Sequence, residues 1–268
     1  MSKLSFVKYQ GNGNDFIIVG SQPGLSIDYL LKIAPAWCDR HFGIGADGIL
    51  LIEPDGDQVN LSVINADGSL AANCGNGLRC VAAYYFTQRG VDLLKINLAA
   101  KSYYCKKKLE AISVNMGEVR LEKLEPRSIT LKDSVVFQAE QFLVELANRH
   151  LVLFFAEPIT ESAHIIEQIL TPEYDELNIG LVFYDGQNYR SLVYERGVGF
   201  TNSCGSGAVA AAAVISSIDQ AKQSITICQP GGDVMVSLEA LASCAGKARF
   251  SAVQTGSAYE VYRGQIKI

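Results

Sequence analysis

The sequence predicts an α/β (α+β) protein of two similar halves, each built of strands around one central helix. Three observations carry this. Runs rich in Val, Ile, Phe and Tyr recur along the whole chain, while helical patterns are few. The segment 208–215 is apolar on every side, and a helix of that kind is buried all round, so a sheet must curl about it. Finally, Asn73-Cys74-Gly75-Asn76-Gly77 and Ser203-Cys204-Gly205-Ser206-Gly207 share one pattern, each ahead of a helix. Their cysteines lie 130 positions apart, and Asn14 and Asn148, each before a strand, lie 134 apart, half of 268.

Taken in order, 4–9 and 16–19 read as strands. Residues 26–40 read as a helix with Ser26 as N-cap and Asp28 in its first turn. The internal Pro35 should kink or shorten it. Strands follow at 49–52 and 58–64. The helix from Gly75 places Leu78, Val81, Ala82, Tyr85 and Phe86 on one face, carries Arg89 in its last turn and stops at Gly90. Strands at 95–98 and 111–115 come next, and the run Lys106, Lys107, Lys108 reads as solvating a strand edge. The polar stretch 121–130 is read as the boundary. Beyond it come strands at 141–145 and 151–155, a short helix at 162–170, and strands at 180–184 and 191–194. The helix from Gly205 follows, then strands at 224–228, 233–238 and 249–253.

Composition narrows the function classes. With 49% hydrophobic and 19% charged residues the chain is not disordered. A net charge of −5 lacks the basic footprint of a nucleic-acid binder. No stretch approaches the ~20 apolar residues of a membrane span, and the first nine residues hold no signal-peptide core, so the expected compartment is the cytoplasm. Seven cysteines there argue against a disulfide framework, and the scattered Cys and His residues argue against a metal site. Gly43-Ile44-Gly45-Ala46-Asp47-Gly48 fits a dinucleotide fingerprint by letters, but it follows a helix and precedes a strand, so no NAD is expected.

Cys74 and Cys204 carry the chemistry. Each stands at a helix start, where orphan N–H groups and the macrodipole favour a thiolate. A lone cysteine would read as a small buried hydrophobe; two in matching settings read as function. Two helix N-termini offer an anion hole for a carboxylate. A thiolate could take the neighbouring Cα proton while an opposite thiol returns one, which inverts a stereocentre. N–H donors at the carboxylate would stabilise the carbanion. Cys38, Cys80, Cys105, Cys228 and Cys244 lack this setting and read as core or incidental.

The chain resembles the diaminopimelate epimerase family. The matching motifs are Gly13-Asn14-Asp15-Phe16, Arg40-His41-Phe42-Gly43-Ile44-Gly45-Ala46-Asp47 and Asn65-Ala66-Asp67-Gly68-Ser69. Cys74-Gly75-Asn76-Gly77-Leu78-Arg79-Cys80, Asn178, Glu195-Arg196-Gly197-Val198-Gly199 and Cys204-Gly205-Ser206-Gly207 complete the set, in family order. The resemblance implies an isomerase that interconverts LL- and meso-diaminopimelate without pyridoxal phosphate or any other cofactor, in lysine and cell-wall precursor synthesis. It implies Cys74 and Cys204 as the acid/base residues, with Gly75, Asn76, Gly205 and Ser206 around the reacting carboxylate. Asn65, Asn178 and Arg196 match positions that hold the distal end of the substrate; Asn14, Asn148 and Glu195 match positions lining the pocket. His150 stands open between a pocket residue and a satisfied structural histidine. The implied fold has two pseudo-symmetric domains, 1–120 plus 257–268 and 121–256, each a curled, mostly antiparallel sheet around a central helix. The last strand, 259–268, returns to the first domain, and the site lies in the cleft between domains. Homodimers occur in the family; the sequence shows no interface.

Three positions depart from the family pattern: Arg149 stands in place of Pro, Phe200 where Glu is frequent, and Gly48 where some members carry Gln. Two other readings therefore stay open. One keeps the two thiols in a racemase or epimerase of the same superfamily acting on another amino acid. The other is a redox or metal-binding thiol protein.

Overall fold

A computed structural model describes residues 3–130, 136–159, 161–170, 174, 176–244 and 247–267. The chain divides into two compact units, residues 1–115 with 255–268 and residues 116–254.

Unit 1 opens with a hairpin, β1 (Lys3–Gly11) and β2 (Asn14–Gly20), joined by Asn12 and Gly13, both at positive φ, as a two-residue hairpin turn demands. Next come α1 (Ile27–Cys38), β3 (Gly48–Asp55), β4 (Gln58–Asn65), β5 (Leu70–Ala71), α2 (Gly75–Arg89), β6 (Leu93–Leu98) and β7 (Lys101–Lys108). β8 (Ala111–Thr130) gives its first residues to unit 1 and the rest to unit 2. β2 pairs parallel with β3 and β4 parallel with β6; the other pairings, β3 with β4, β4 with β5, β6 with β7 and β7 with β8, are antiparallel.

Unit 2 repeats this order. β9 (Val136–Glu145) and β10 (Arg149–Phe155) pair antiparallel, then α3 (Ser162–Ile169) leads to β11 (Asn178–Tyr184), parallel to β10. β12 (Tyr189–Glu195) and β13 (Gly199–Thr201) follow antiparallel, then α4 (Gly205–Ile218), then β14 (Ser224–Gln229), parallel to β12. β15 (Gly232–Cys244) pairs antiparallel with β14, and β16 (Lys247–Gly256) pairs with β8. β17 (Tyr259–Lys267) returns to unit 1, antiparallel to β1. Ile268, the end of the expected last strand, lies outside the described residues.

Both central helices sit against their sheets as the hydrophobic patterns require. α2 packs on β1, β2, β3, β6, β7 and β17; α4 packs on β9, β10, β11, β12, β14 and β15. In α4 every residue from Gly205 to Ser216 is buried. The opposite sheet faces are covered by the outer helices. Leu30, Ala34 and Trp37 of α1 pack on Ile17, Val19, Ile49, Leu51 and Ile64. Ile165, Ile166 and Ile169 of α3 join Leu151, Leu153, Ile179 and Leu181 in a core cluster. Strands covered on both faces read as continuous apolar runs.

Four expectations need correction. The polar stretch 121–130 is not a linker but the second half of β8, paired with β9; cross-strand partners override a weak apolar pattern. β7 is not an edge strand, since Lys106 pairs with both Leu93 and Ser113, and the three lysines simply face solvent. Pro35 does not interrupt α1. It lacks the N–H for the Leu31 carbonyl, and that oxygen lies so close to Gly68 (φ +85°) that a Cβ there would collide with it. The fourth correction, at Cys204, belongs to the site.

Candidate active site

In unit 1 the expected residues gather where β2 begins, β4 ends and α2 begins. Cys74 is the N-cap of α2 (φ −155°, ψ 92°), and its Sγ accepts the Gly77 N–H at 3.3 Å. A sulfur thus does what a Ser or Asp oxygen usually does at this position. The second glycine of the motif is closely enclosed: a Cβ on Gly77 would lie 3.0 Å from the Cys74 sulfur and 3.2 Å from Leu50 Cδ2. Asn76 is buried, and its Nδ2 donates to Asn14 Oδ1 (3.2 Å). Asn14 Nδ2 donates to Asp47 Oδ2 (2.7 Å). Asp47 is held by Arg40, which also forks onto Asp15. Lys8 binds Asp15 (2.7 Å) and the Gly45 carbonyl. Burial of Asp15 would raise its carboxyl, but the hydrogen bonds from Arg40 and Lys8 outweigh that and hold it low. Asn65 sits in a tight turn, donating to Ser69 Oγ at 2.9 Å while its N–H bonds the Ser69 carbonyl.

Unit 2 builds the counterpart. Cys204 is the N-cap of α4 (φ −128°, ψ 111°), and its Sγ accepts the Gly207 N–H at 3.4 Å. A Cβ on Gly207 would sit 2.7 Å from Val193 Cγ2 and 3.4 Å from the sulfur. Gln229 brackets this turn: Oε1 accepts from the Cys204 N–H (3.1 Å) and Ser203 Oγ (2.9 Å), and Nε2 donates to the Cys204 carbonyl (3.2 Å). Ser206 Oγ lies 3.4 Å from the sulfur and 3.1 Å from His150 Nε2. The Cys204 thiol also hydrogen-bonds Glu195, whose Oε1 accepts from Thr201 Oγ1 at 2.6 Å.

Here the structure departs from the expected thiolate. Burial, then the Glu195 carboxylate, push the Cys204 thiol well above its ordinary value, against the pull of Ser206 and the Gly207 N–H. Cys204 is therefore a protonated thiol. His150 is fully buried, and burial lowers its imidazole to about 4, so it is neutral. Ser206 Oγ is within hydrogen-bond distance of both the Cys204 sulfur and His150 Nε2, so its hydroxyl can serve either as donor or as acceptor to the ring. Nδ1 of His150 has no partner among the described residues.

His150 and Asn178 are register partners at the start of the parallel strands β10 and β11, and Asn178 Oδ1 accepts the Arg196 N–H at 3.0 Å. The Arg196 guanidinium is exposed and ion-paired with Glu176. Asn148 lies partly buried in the β9–β10 turn. Gly75 and Gly205 are buried first residues of their helices. Asp47, Thr201 and Gln229 join the site from outside the sequence candidates; Asp47 ends one of the family motifs, whereas Gln229 is 25 positions from Cys204 and leaves no local signal. Among the described residues no group of three or more His, Cys, Asp or Glu side chains could hold a metal ion, and no helix is long and apolar enough to cross a membrane.

Comparison with known proteins gives the family. The family profile for diaminopimelate epimerase matches residues 6–122. The diaminopimelate epimerase of Bacillus subtilis is 33% identical over 263 residues, covering 88% of this chain and 92% of that one. That of Caldanaerobacter subterraneus is 32% identical over 286 residues, covering 99% and 100%. A phenazine biosynthesis protein of the PhzF family from Bacillus anthracis shares the fold, with a TM-score of 0.76 at 14% identity over all of both chains. The curated relatives match over nearly the full length of both chains, and the chain belongs to the diaminopimelate epimerase family.

Proposed function

We propose that the chain interconverts LL- and meso-2,6-diaminopimelate by moving a Cα proton between two cysteines, with no cofactor. The observation that carries this is the matched pair of sulfur-capped helices: Cys74 on α2 and Cys204 on α4. The N–H groups of Gly75 and Asn76 on one helix, and of Gly205 and Ser206 on the other, would bind the reacting carboxylate. In one direction the Cys74 thiolate takes the Cα hydrogen as a proton. The C–H electron pair passes into the carboxylate as a carbanion, stabilised by those N–H donors. The Cys204 thiol gives its proton to the other face of the carbon and is left as thiolate. The raised Cys204 thiol suits the acid in this direction; the reverse reaction exchanges the roles, so the pair titrates as a unit. Arg196, with Asn65 and Asn178, would hold the distal carboxylate, for which a planar guanidinium is fitted; Asn14, Asn148 and Glu195 would line the pocket. On this reading the chain serves lysine and peptidoglycan precursor synthesis in the cytoplasm.

A second reading keeps the two thiols and changes the amino acid. Phe200, exposed and edge-on to Tyr194 at 5.6 Å, favours it, since an apolar ring stands on β13 where a carboxylate is frequent in the family. Incubation with LL-diaminopimelate in D2O decides. Deuterium at one Cα together with meso product supports the first reading. Exchange into another amino acid alone supports the second. No exchange into any amino acid refutes both.

A further inference from the structure

Arg79 is a buried charge that the proton transfer leaves unused. It lies on α2, five residues after Cys74, and is wholly inaccessible to solvent. Its Nη2 donates to Asn12 Oδ1 (2.8 Å) and to Asn76 Oδ1 (2.9 Å), and its Nε to the Ser257 carbonyl (3.3 Å). The backbone closes over it, so that a Cβ on Gly256 would lie 3.0 Å from Cζ. Among the described residues no carboxylate pairs with this guanidinium, and Nη1 has no acceptor. A buried charge without a counter-charge is costly.

The neighbouring charges are balanced among themselves. On β1, β2 and the loop before β3, Lys8 and Arg40 face Asp15 and Asp47; on β17, Arg263 faces Glu260. Burial keeps Cys80 of α2, and Tyr103 and Cys105 of β7, uncharged. Burial disfavours the Arg79 cation as well, and thiolate charge at Cys80 or Cys74 favours it. By reciprocity the cation favours a Cys74 thiolate.

Arg79 also sets the direction of a relay. A guanidinium only donates, so Asn76 must turn its oxygen to Arg79 and its Nδ2 to Asn14. Asn14 must then turn its Nδ2 to the Asp47 carboxylate, which only accepts. A cation at one end and an anion at the other leave each amide a single orientation.

We propose that Arg79 is a positioning residue: it locks the amides of Asn76 and Asn14, and its unshared positive charge stabilises the Cys74 thiolate. Its part in catalysis rests on the two-cysteine reading above.

Iodoacetamide labelling across pH, read peptide by peptide, reports Cys74 without substrate, with the exposed Cys244 as internal reference. In the wild type the Cys74 midpoint is expected about one pH unit or more below that of Cys244. Arg79→Gln should raise it by about one unit, roughly a tenfold loss of thiolate below the midpoint. Arg79→Lys keeps the charge and the Cys74 midpoint but raises KM, because an ammonium cannot reproduce the fork onto Asn12 and Asn76. A merely structural arginine would lower Tm in both variants and leave the midpoint unmoved. A wild-type Cys74 midpoint at or above that of Cys244 overturns the inference, as does a folded Arg79→Gln protein with an unchanged midpoint. If Arg79→Gln does not fold, Arg79→Lys decides the positioning role, and an unchanged KM in it overturns the inference. Should the D2O assay show no exchange while the Cys74 midpoint shifts as expected, the two-cysteine reading fails and the electrostatic role of Arg79 stands.

Discussion

Cys204 shows why a thiol cannot be read from its helix position alone. The helix start and the Gly207 N–H favour the anion, yet burial and Glu195 favour the thiol, and the latter pair wins. Replacing Cys74 or Cys204 with Ala should lower kcat by about 10²–10⁴-fold, the range for a positioned acid or base, with circular dichroism unchanged; near-wild-type turnover in either would remove that residue from the proton transfer. His150 makes a separate, pH-dependent prediction. Its folded value, about 4, lies below the ordinary 6.5, so the unfolded chain binds the extra proton. Stability is intact above pH 6.5 and falls as pH drops toward 4, by about 3 kcal/mol at 1.36 kcal/mol per unit. Asp15, also held low, acts only below its ordinary 3.8 and does not enter this window. Urea denaturation at pH 7 and pH 4.5 should show the loss in the wild type, and His150→Gln should flatten it; an equal loss in both would assign it elsewhere. Of the site residues, those inside quoted motifs were legible. Arg79 was legible as a motif letter but not as a buried charge, since burial is a property of the fold. Gln229 was not legible at all.

At the scale of elements, the two Cys-Gly-x-Gly turns are helix caps. Each sulfur takes the N–H three residues on, and the glycine there leaves room for it. Gly207→Ala forces a Cβ to 2.7 Å from Val193 Cγ2, which should cost about 1–3 kcal/mol as overpacking and displace the cap. Thermal unfolding with a kcat measurement checks this: a variant of wild-type Tm and rate would show that the turn adjusts freely. Both central helices and the α1 start were readable, because periodicity, caps and the Gly90 stop are local signals. The Ser26 side chain does accept the Tyr29 N–H. Residues 120–130 of β8 are not legible as a strand because their strand character comes from β9, not from their own pattern. β5 and β13, of two and three residues, are too short for any periodicity to register.

At the scale of the molecule, one topology is used twice: hairpin, outer helix, two antiparallel strands, a short strand, central helix, and a further antiparallel pair. Unit 1 adds β17, which pairs with β1 from Lys3 to Gln10 and lays Gly264 against the Phe6 ring, where a Cβ would lie 2.6 Å away. Deleting residues 259–268 should therefore expose β1 and lower amide protection in β1 and β2, while α4 and its strands keep theirs. Hydrogen exchange reads this directly, and equal loss in both units would contradict it. The sequence by itself determined the class of fold, the internal repeat and the two cysteines, because these are written in local spacing: helix periods, cap residues and glycines. Only the tertiary structure decided that Cys204 is a thiol, that His150 is neutral, and that Arg79 has no counter-ion among the described residues. Those states depend on solvent exclusion and on charges brought from distant positions in the chain.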